Sequence, residues 1–531
     1  MRHQKILGLA LAGTLLVGAA SCSIDSFLDV NTNPNNSITA PPSVLLTSSI
    51  ITTGFANGNE INRISSLLVQ HIAGVQNQAT GYDVYNIRGG LDNQWQGELY
   101  AGVLENAQTL IGTAGQTSSP SYAGIAKLIK AYNFAMTTDL WGDIPYSEAL
   151  QGLSKLQPRF DKQEDIYKGN AALGIQSLDD LIKEGLADLD KPSTLNPSIV
   201  DDPVYGGANL ANATPALTQA HLARWKRMGN TLRLKLANTI SRKEPALART
   251  IINEVITANS AFLVNSDDFE VPFGGTVGNR NPIFDFNNIQ RDTDQILSQR
   301  LLDSLIARND PRLAVFFTRT PTPVVGGPAG TAQVNVTGTL TPQGTFTGFQ
   351  NGGVGTAPIP GLLTNRSKYN VYLTGNNGEA PIRLLTNYQR LFILAESALV
   401  LGTGGGTPQD LYQAAIRASM TKAGVADAAV TTYFTANPRV ALLSTNQNVA
   451  LNQIMTQKWI ASIGNGYEAY NDYRRTGFPR LALTLNAAGD NPNILPKRFI
   501  YPASELSGNA GNAPAPSAVP NTTVPVWWDI D

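Results

Sequence analysis

Residues 217–241 read LTQAHLARWKRMGNTLRLKLANTIS. Leu222, Trp225, Gly229, Leu232, Leu236 and Ile240 recur at steps of three and four, which places them on one face of an α-helix. Arg224, Lys226, Arg227 and Arg233 fall largely off that face, so they read as a solvated or ion-paired side, not a nucleic-acid patch. The same period returns on both sides of this stretch. Upstream it runs through Ile61, Ile64, Leu68, Ile72 and Val75, then Trp95, Leu99, Val103 and Leu110, then Ile125, Leu128, Ile129, Tyr132 and Met136. Further helical segments are predicted over 161–190, 245–258, 383–402, 408–423 and 447–463. Residues 259–294 and 319–381 are instead rich in Gly, Asn, Thr and Pro, and Ala332 to Phe349 alternates in places like short strands. Helices in pairs around a long irregular insertion predict a mainly α architecture, a solenoid of helical hairpins with a few short strands. No clean repeat of about 34 residues is visible.

Composition narrows the chemistry. The chain has 531 residues, of which 15% are charged, and 39 basic against 40 acidic residues leave a net charge of −1. A nucleic-acid binder is expected to carry a basic surplus, and none is present. Ligand binding nearly independent of salt is the expectation from that balance. There are three histidines and one cysteine. That excludes an internal disulfide and thiolate zinc sites of the Cys-pair type. His71 and His221 both read as hydrogen-bonded structural histidines. No cofactor is implied, although oxygen-rich turns such as Asn265–Asp268 keep a structural calcium open.

The N-terminus reads differently. Arg2 and Lys5 precede an uncharged run, Ile6 to Ala20, which is the pattern of a signal peptide and is short for a membrane span. Ala19, Ala20 and Ser21 then lead to Cys22, the only cysteine. A small-residue stretch ending in cysteine resembles a bacterial lipobox, which implies acylation of Cys22 and anchoring to a membrane. The expected organisation is a signal peptide over 1–21, a lipidated polar tether over 22–42 and one binding domain over 43–531.

Five local sequences then occur in order: TDLWGDIPYSEA from Thr138, WKRMGNTLRLKLA from Trp225, DPRL from Asp310, QIMTQKWIASIGNGYEAYNDYRRTGFPRL from Gln453 and RFIYPASELSGN from Arg498. With the lipobox and the LDVNTNPNN tether, the set resembles the SusD/RagB family of nutrient-binding lipoproteins. The resemblance implies a fold built on tetratricopeptide-like helix pairs and no catalytic activity. It further implies capture of oligosaccharides or peptides at the cell surface for a SusC-like TonB-dependent transporter. Two other readings stay open from the residues: a lipoprotein glycan hydrolase, for which Asp139, Asp143 and Glu148 are the available carboxylates, and a helical scaffold that binds only proteins.

The motifs themselves read as structure. Gly142 and Pro145 end a helix, Trp141 packs, and Arg474 and Arg475 are expected to bond carbonyls and carboxylates around a turn at Gly477 and Pro479. Sugars stack on partly exposed rings, so loop aromatics are the better ligand candidates. Tyr82 and Tyr85 lie in a polar loop, and Phe273 lies in the irregular insertion near Asn279 and Arg280. These five are the candidate ligand residues, and replacing Tyr82, Tyr85 or Phe273 with Ala is expected to leave melting nearly unchanged.

Overall fold

The computed structural model describes residues 40–87, 91–206, 214–320, 345–353, 366–515 and 518–530. Cys22, the signal segment, most of the tether and most of the Ala332–Phe349 alternation lie outside them. Residues Pro42–Asp531 form one compact unit.

Helices dominate it. The longer ones are α1 (Pro42–Ala56), α2 (Asn62–Leu68), α3 (Asn77–Asp83), α4 (Glu105–Gln116), α5 (Pro120–Trp141), α6 (Leu178–Asp188), α7 (Pro215–Thr239), α8 (Pro245–Ala258), α9 (Gln299–Ala307), α10 (Asn387–Val400), α11 (Pro408–Lys422), α12 (Asp427–Ala436), α13 (Gln447–Ala461) and α14 (Gly466–Thr476). The stripe quoted above is α7. Its Thr214 hydroxyl caps the Leu217 amide, and Pro215 occupies the first turn, where a missing N–H costs nothing. Trp225, Met228 and Leu232 on its apolar face are fully buried. Gly229 sits where a Cβ would come within 2.9 Å of Leu186 and 3.0 Å of Leu128, so glycine lets α5, α6 and α7 close on one another. The polar face is ion-paired as expected: Arg227 to Asp267 at 2.9 Å, Arg233 to Asp179 and Glu254 at 2.6 Å each, and Lys226 to Asp190. His221 is buried against the Asp202 carboxylate, 2.6 Å away.

Successive helices pack as hairpins: α4 with α5, α5 with α6, α7 with α8 and α10 with α11. The α10–α11 turn uses Gly402, Gly405 and Gly406, all at positive φ. Behind it, Ile252, Phe392, Ile416, Val430 and Ile454 are fully buried in a core shared by α8, α10, α11, α12 and α13. The helical-hairpin architecture therefore agrees with the periodicity. Its departures are local. Residues Asn93–Leu104 wind as a wider π-type helix before α4, 161–190 breaks into a short helix, Gln163–Lys168, and α6, and the stripe read from Ile61 to Val75 stops at Leu68, with Ile72 in a strand and Val75 beyond it.

Among the described residues, three two-stranded antiparallel ladders tie the irregular parts down: β1 (Ile72–Gly74) with β5 (Gln295–Leu297), β2 (Ile144–Pro145) with β3 (Phe160–Asp161), and β4 (Phe269–Val271) with β6 (Ile382–Leu385). The first matters most. Ile72 pairs with Leu297, which brings the end of α2 beside the start of α9. Ser298 then bridges to Phe349.

Candidate functional site

These connections enclose a cleft of about 640 Å³. One wall is α9 with its cap, presenting Gln299, Arg300, Asp303, Ser304 and Arg308. Across from it, α13 contributes Asn452, Thr456 and Trp459, and the chain after α14 contributes Pro479 to Leu483 and Leu485. Gln70, Gln350 and Asn351 complete the lining. The amphipathic pattern of α9 explains its wall. Leu301, Leu302 and Leu305 are buried, so the opposite face, with Arg300, Ser304 and Arg308 at four-residue steps, is turned outward.

Buried bonds hold the walls from behind. Gln70 adopts a positive φ of 58° and its Nε2 donates to the Ala482 carbonyl at 2.6 Å. The Trp459 indole N–H donates to the Val69 carbonyl at 2.9 Å. His71 Nε2 lies 2.9 Å from the Trp459 carbonyl, with the two rings 5.3 Å apart. Burial pushes the His71 imidazole down to about 3, so it is neutral and donates to that carbonyl.

Asn351 is fixed most firmly. Its amide donates to the Ile72 carbonyl at 2.8 Å and to Asp83 Oδ1 at 2.5 Å, and its Oδ1 accepts from Ser298 at 2.6 Å. Asp83 Oδ2 accepts from the Gly352 amide at 2.5 Å. Burial raises the Asp83 carboxyl to about 7, against the lowering effect of these donors. A folded-state value above the unfolded one means that the stabilisation is full below about pH 4 and is lost as pH rises through 7. Asp83→Asn cannot ionise, so its melting temperature relative to the parent is expected to improve steadily from pH 4.5 to pH 7.5. A constant difference across that range would show that Asp83 does not titrate there.

The sequence candidates divide. Tyr82 and Tyr85 are 5% and 2% exposed, so the expectation of open stacking rings is not met. Tyr85 lies behind the cleft: its hydroxyl accepts from the Thr484 amide at 3.0 Å, between Leu483 and Leu485 of the wall. The expectation of unchanged melting is replaced accordingly. Tyr85→Ala should cost about 3–5 kcal/mol, seen as a lower melting temperature, as for other buried rings. Phe273, Asn279 and Arg280 lie elsewhere, in a loop that closes on itself. The Gly274 amide donates to the Asn279 carbonyl at 2.7 Å, and Arg280 Nε donates to the Gly275 carbonyl at 3.2 Å. Phe273 is half-buried and Asn279 exposed, and neither lines the cleft.

The cleft residues themselves carried no local signal beyond the polar face of α9, because they converge from five separated stretches. The helix-ending motifs are structural, as read. Asp143 accepts the Gln163 amide, Glu148 accepts the Arg159 amide, and Trp141 is fully buried with its N–H on the Ile500 carbonyl. Gly142 has a φ of 88°, and a Cβ there would lie 2.5 Å from Arg498 Nη2. The calcium candidate turn is engaged internally. Asp267 accepts the Leu263 amide and pairs with Arg227, and Asp268 accepts the Asn387 amide and pairs with Lys422. Among the described residues no group of three or more His, Cys, Asp or Glu is placed to hold a metal ion. Nor is any described helix long and apolar enough to cross a membrane.

Comparison with known proteins adds a lineage. A family model described as starch-binding and associating with the outer membrane matches residues 34–502. Curated proteins give no match. Among solved structures, a chitin-binding protein is 24% identical with a TM-score of 0.72 over 92% of this chain and 100% of its own. A chitin-binding SusD homologue from Flavobacterium johnsoniae is 22% identical with a TM-score of 0.70 over 92% of this chain and 99% of its own. A SusD homologue from Bacteroides uniformis is 21% identical with a TM-score of 0.71 and the same two coverages. At these identities the likeness is one of fold.

Proposed function

This chain belongs to the SusD/RagB family, and we propose that it is a nutrient-binding protein of the outer membrane whose cleft captures oligosaccharide. The cleft carries the reading. Its volume lies within the range of small-molecule pockets. Gln70, Gln299, Gln350, Asn351, Asn452, Ser304 and Thr456 line it with amides and hydroxyls, and Leu481, Leu483 and Leu485 supply apolar surface. That mixture suits a sugar chain, which presents hydroxyls along its edges and CH groups on its faces.

Binding without turnover is the reading that the carboxylates support. Glycosidases of the common type set two carboxyl groups across one bond. Among the described lining residues Asp303 is the one carboxylate, and Asp139, Asp143 and Glu148 are engaged in structural bonds away from the cleft. The captured ligand passes to a SusC-like TonB-dependent transporter, and acylated Cys22 holds the protein at the outer face of the membrane. Loss of membrane association in Cys22→Ala checks the anchor, and co-purification with a transporter of that type checks the partner.

The direct test titrates the full mature chain with maltoheptaose, chitohexaose and acidic oligosaccharides of similar length, then follows each mixture by chromatography. Saturable binding with unchanged ligand is expected. Steady product release would replace the reading with a hydrolase.

A further inference from the structure

We propose that the cleft selects an acidic oligosaccharide, one whose sugars carry carboxylate or sulfate groups. This rests on the capture reading above and adds the substrate class. The observation is local charge. Among the described residues, Arg300, Arg308 and Arg480 line the cleft against Asp303 alone, a lining charge of +2 in a chain whose net charge is −1. The chain is sparsely charged overall, yet three guanidinium groups face one cavity.

Their placement fits recognition. Arg300 and Arg308 lie eight residues apart on one helix face, which sets them two turns or roughly 12 Å from each other. That span covers a few consecutive sugars, so the two address different residues of one chain. Arg308 is held by its Nη1, which donates to the Ser304 carbonyl at 2.8 Å and the Ser304 hydroxyl at 2.9 Å. Arg480 stands across the cleft beside the Phe478 ring, 5.8 Å from its centroid, and is exposed. Asp303 accepts from Gln299 Nε2 at 2.7 Å, and no ion pair among the described residues joins it to any of the three arginines. Planar guanidinium groups match carboxylate and sulfate oxygens two at a time, which a neutral hydroxyl cannot reproduce.

Another cavity shows the contrast. It is about 290 Å³ and contains Asp268, Glu270, Glu379, Arg224 and Lys422. There the charges are already engaged: Lys422 pairs with Asp268 at 3.0 Å and Glu270 at 2.7 Å, Arg224 donates to the Tyr205 and Ser266 carbonyls, and Glu379 accepts from the Asn377 amide at 2.8 Å. Nothing in it calls for an ionic ligand.

The test uses calorimetric titration of the full mature chain with α-1,4-oligogalacturonate and its fully methyl-esterified form, which share a backbone and differ in charge. A sulfated oligosaccharide, maltoheptaose and oligoglutamate complete the set. The acid sugar is expected to bind at least about tenfold tighter than its ester, and the preference should shrink between 50 mM and 500 mM salt as screening grows, which replaces the salt independence expected from net charge alone because the cleft lining is locally basic. Arg308→Gln with Arg480→Gln should abolish the preference while melting stays unchanged. Preference for the sulfated sugar over the uronate, lost in the same variant, supports the proposal with sulfate as the group read. Equal or tighter binding of the ester or of maltoheptaose overturns the acidic preference and leaves capture standing. Oligoglutamate binding as tightly as the acid sugars overturns it in favour of unselective anion binding. No binding of any oligosaccharide overturns both the preference and the capture reading.

Discussion

Asp139→Ala is expected to remove a large share of the stability of this protein, more than about 4 kcal/mol where a folded domain typically has 5–15 kcal/mol. The carboxylate is fully buried. Its Oδ1 accepts from Tyr167 at 2.6 Å and from the Trp528 indole at 2.9 Å, and its Oδ2 accepts from Tyr467 at 2.7 Å and Asn471 at 2.8 Å. Lys235 Nζ stands 3.6 Å from Oδ2. These donors come from the helix after β3, from α14 and from the C-terminal segment, so one side chain at the end of α5 joins parts that are distant in sequence. Truncation strands four buried donors and weakens the pairing of a buried ammonium, and each such loss carries a desolvation penalty of about 1–3 kcal/mol. Urea unfolding followed by circular dichroism measures it. A variant within 1 kcal/mol of the parent would show that water or rearranged partners replace the carboxylate, and the hub would lose its assigned role.

The second large effect is expected at Arg475. Its guanidinium pairs with Glu396, with Nη2 2.8 Å from Oε2 and Nη1 on Oε1, and it also donates to Asp472 at 2.8 Å. Arg475 and Glu396 are both about 1% exposed. Asn238 donates to the same Glu396 oxygen at 3.0 Å, so the pair clamps α7, α10 and α14 together. Arg475→Ala leaves a buried carboxylate without its cation and should cost about 3–5 kcal/mol. Replacing both partners, as in Arg475→Met with Glu396→Met, should cost clearly less, because Asp472 keeps Lys458 at 2.9 Å and no uncompensated charge remains. Thermal melts of the two singles and the double give the coupling energy. Additive losses would contradict a coupled pair.

How much was legible in the residues follows from what each signal depends on. The α7 stripe survives intact because helix periodicity is set by neighbours three and four residues away. Arg474 and Arg475 were placed correctly on carbonyls and carboxylates, since a basic pair at a helix end beside a Gly–x–Pro turn has few other partners: Arg474 bonds the Asp139 and Lys497 carbonyls. Tyr82 and Tyr85 were misplaced because their stretch is locally polar: Tyr82 lies in α3 and not in a loop, and the burial of Tyr85 is supplied by Thr484, 399 residues along the chain. The cleft was illegible for the same reason. Gln70, Arg300, Asn351, Asn452 and Arg480 are ordinary surface types one by one, and they converge only through the β1–β5 ladder and the return of the chain after α14. The irregular insertion was seen as such, but its short strands are pairings across long separations, which alternation over three residues does not announce.

The central claim, that nutrient is held between α9 and the 479–485 wall, is tested most directly by amide hydrogen exchange with and without the oligosaccharide that binds tightest in the titrations. Protection is expected in peptides covering 299–308 and 479–485, with exchange across 273–280 unchanged. Protection confined to 273–280, with the cleft walls unaltered, would contradict the account and return the site to the loop of Phe273, Asn279 and Arg280.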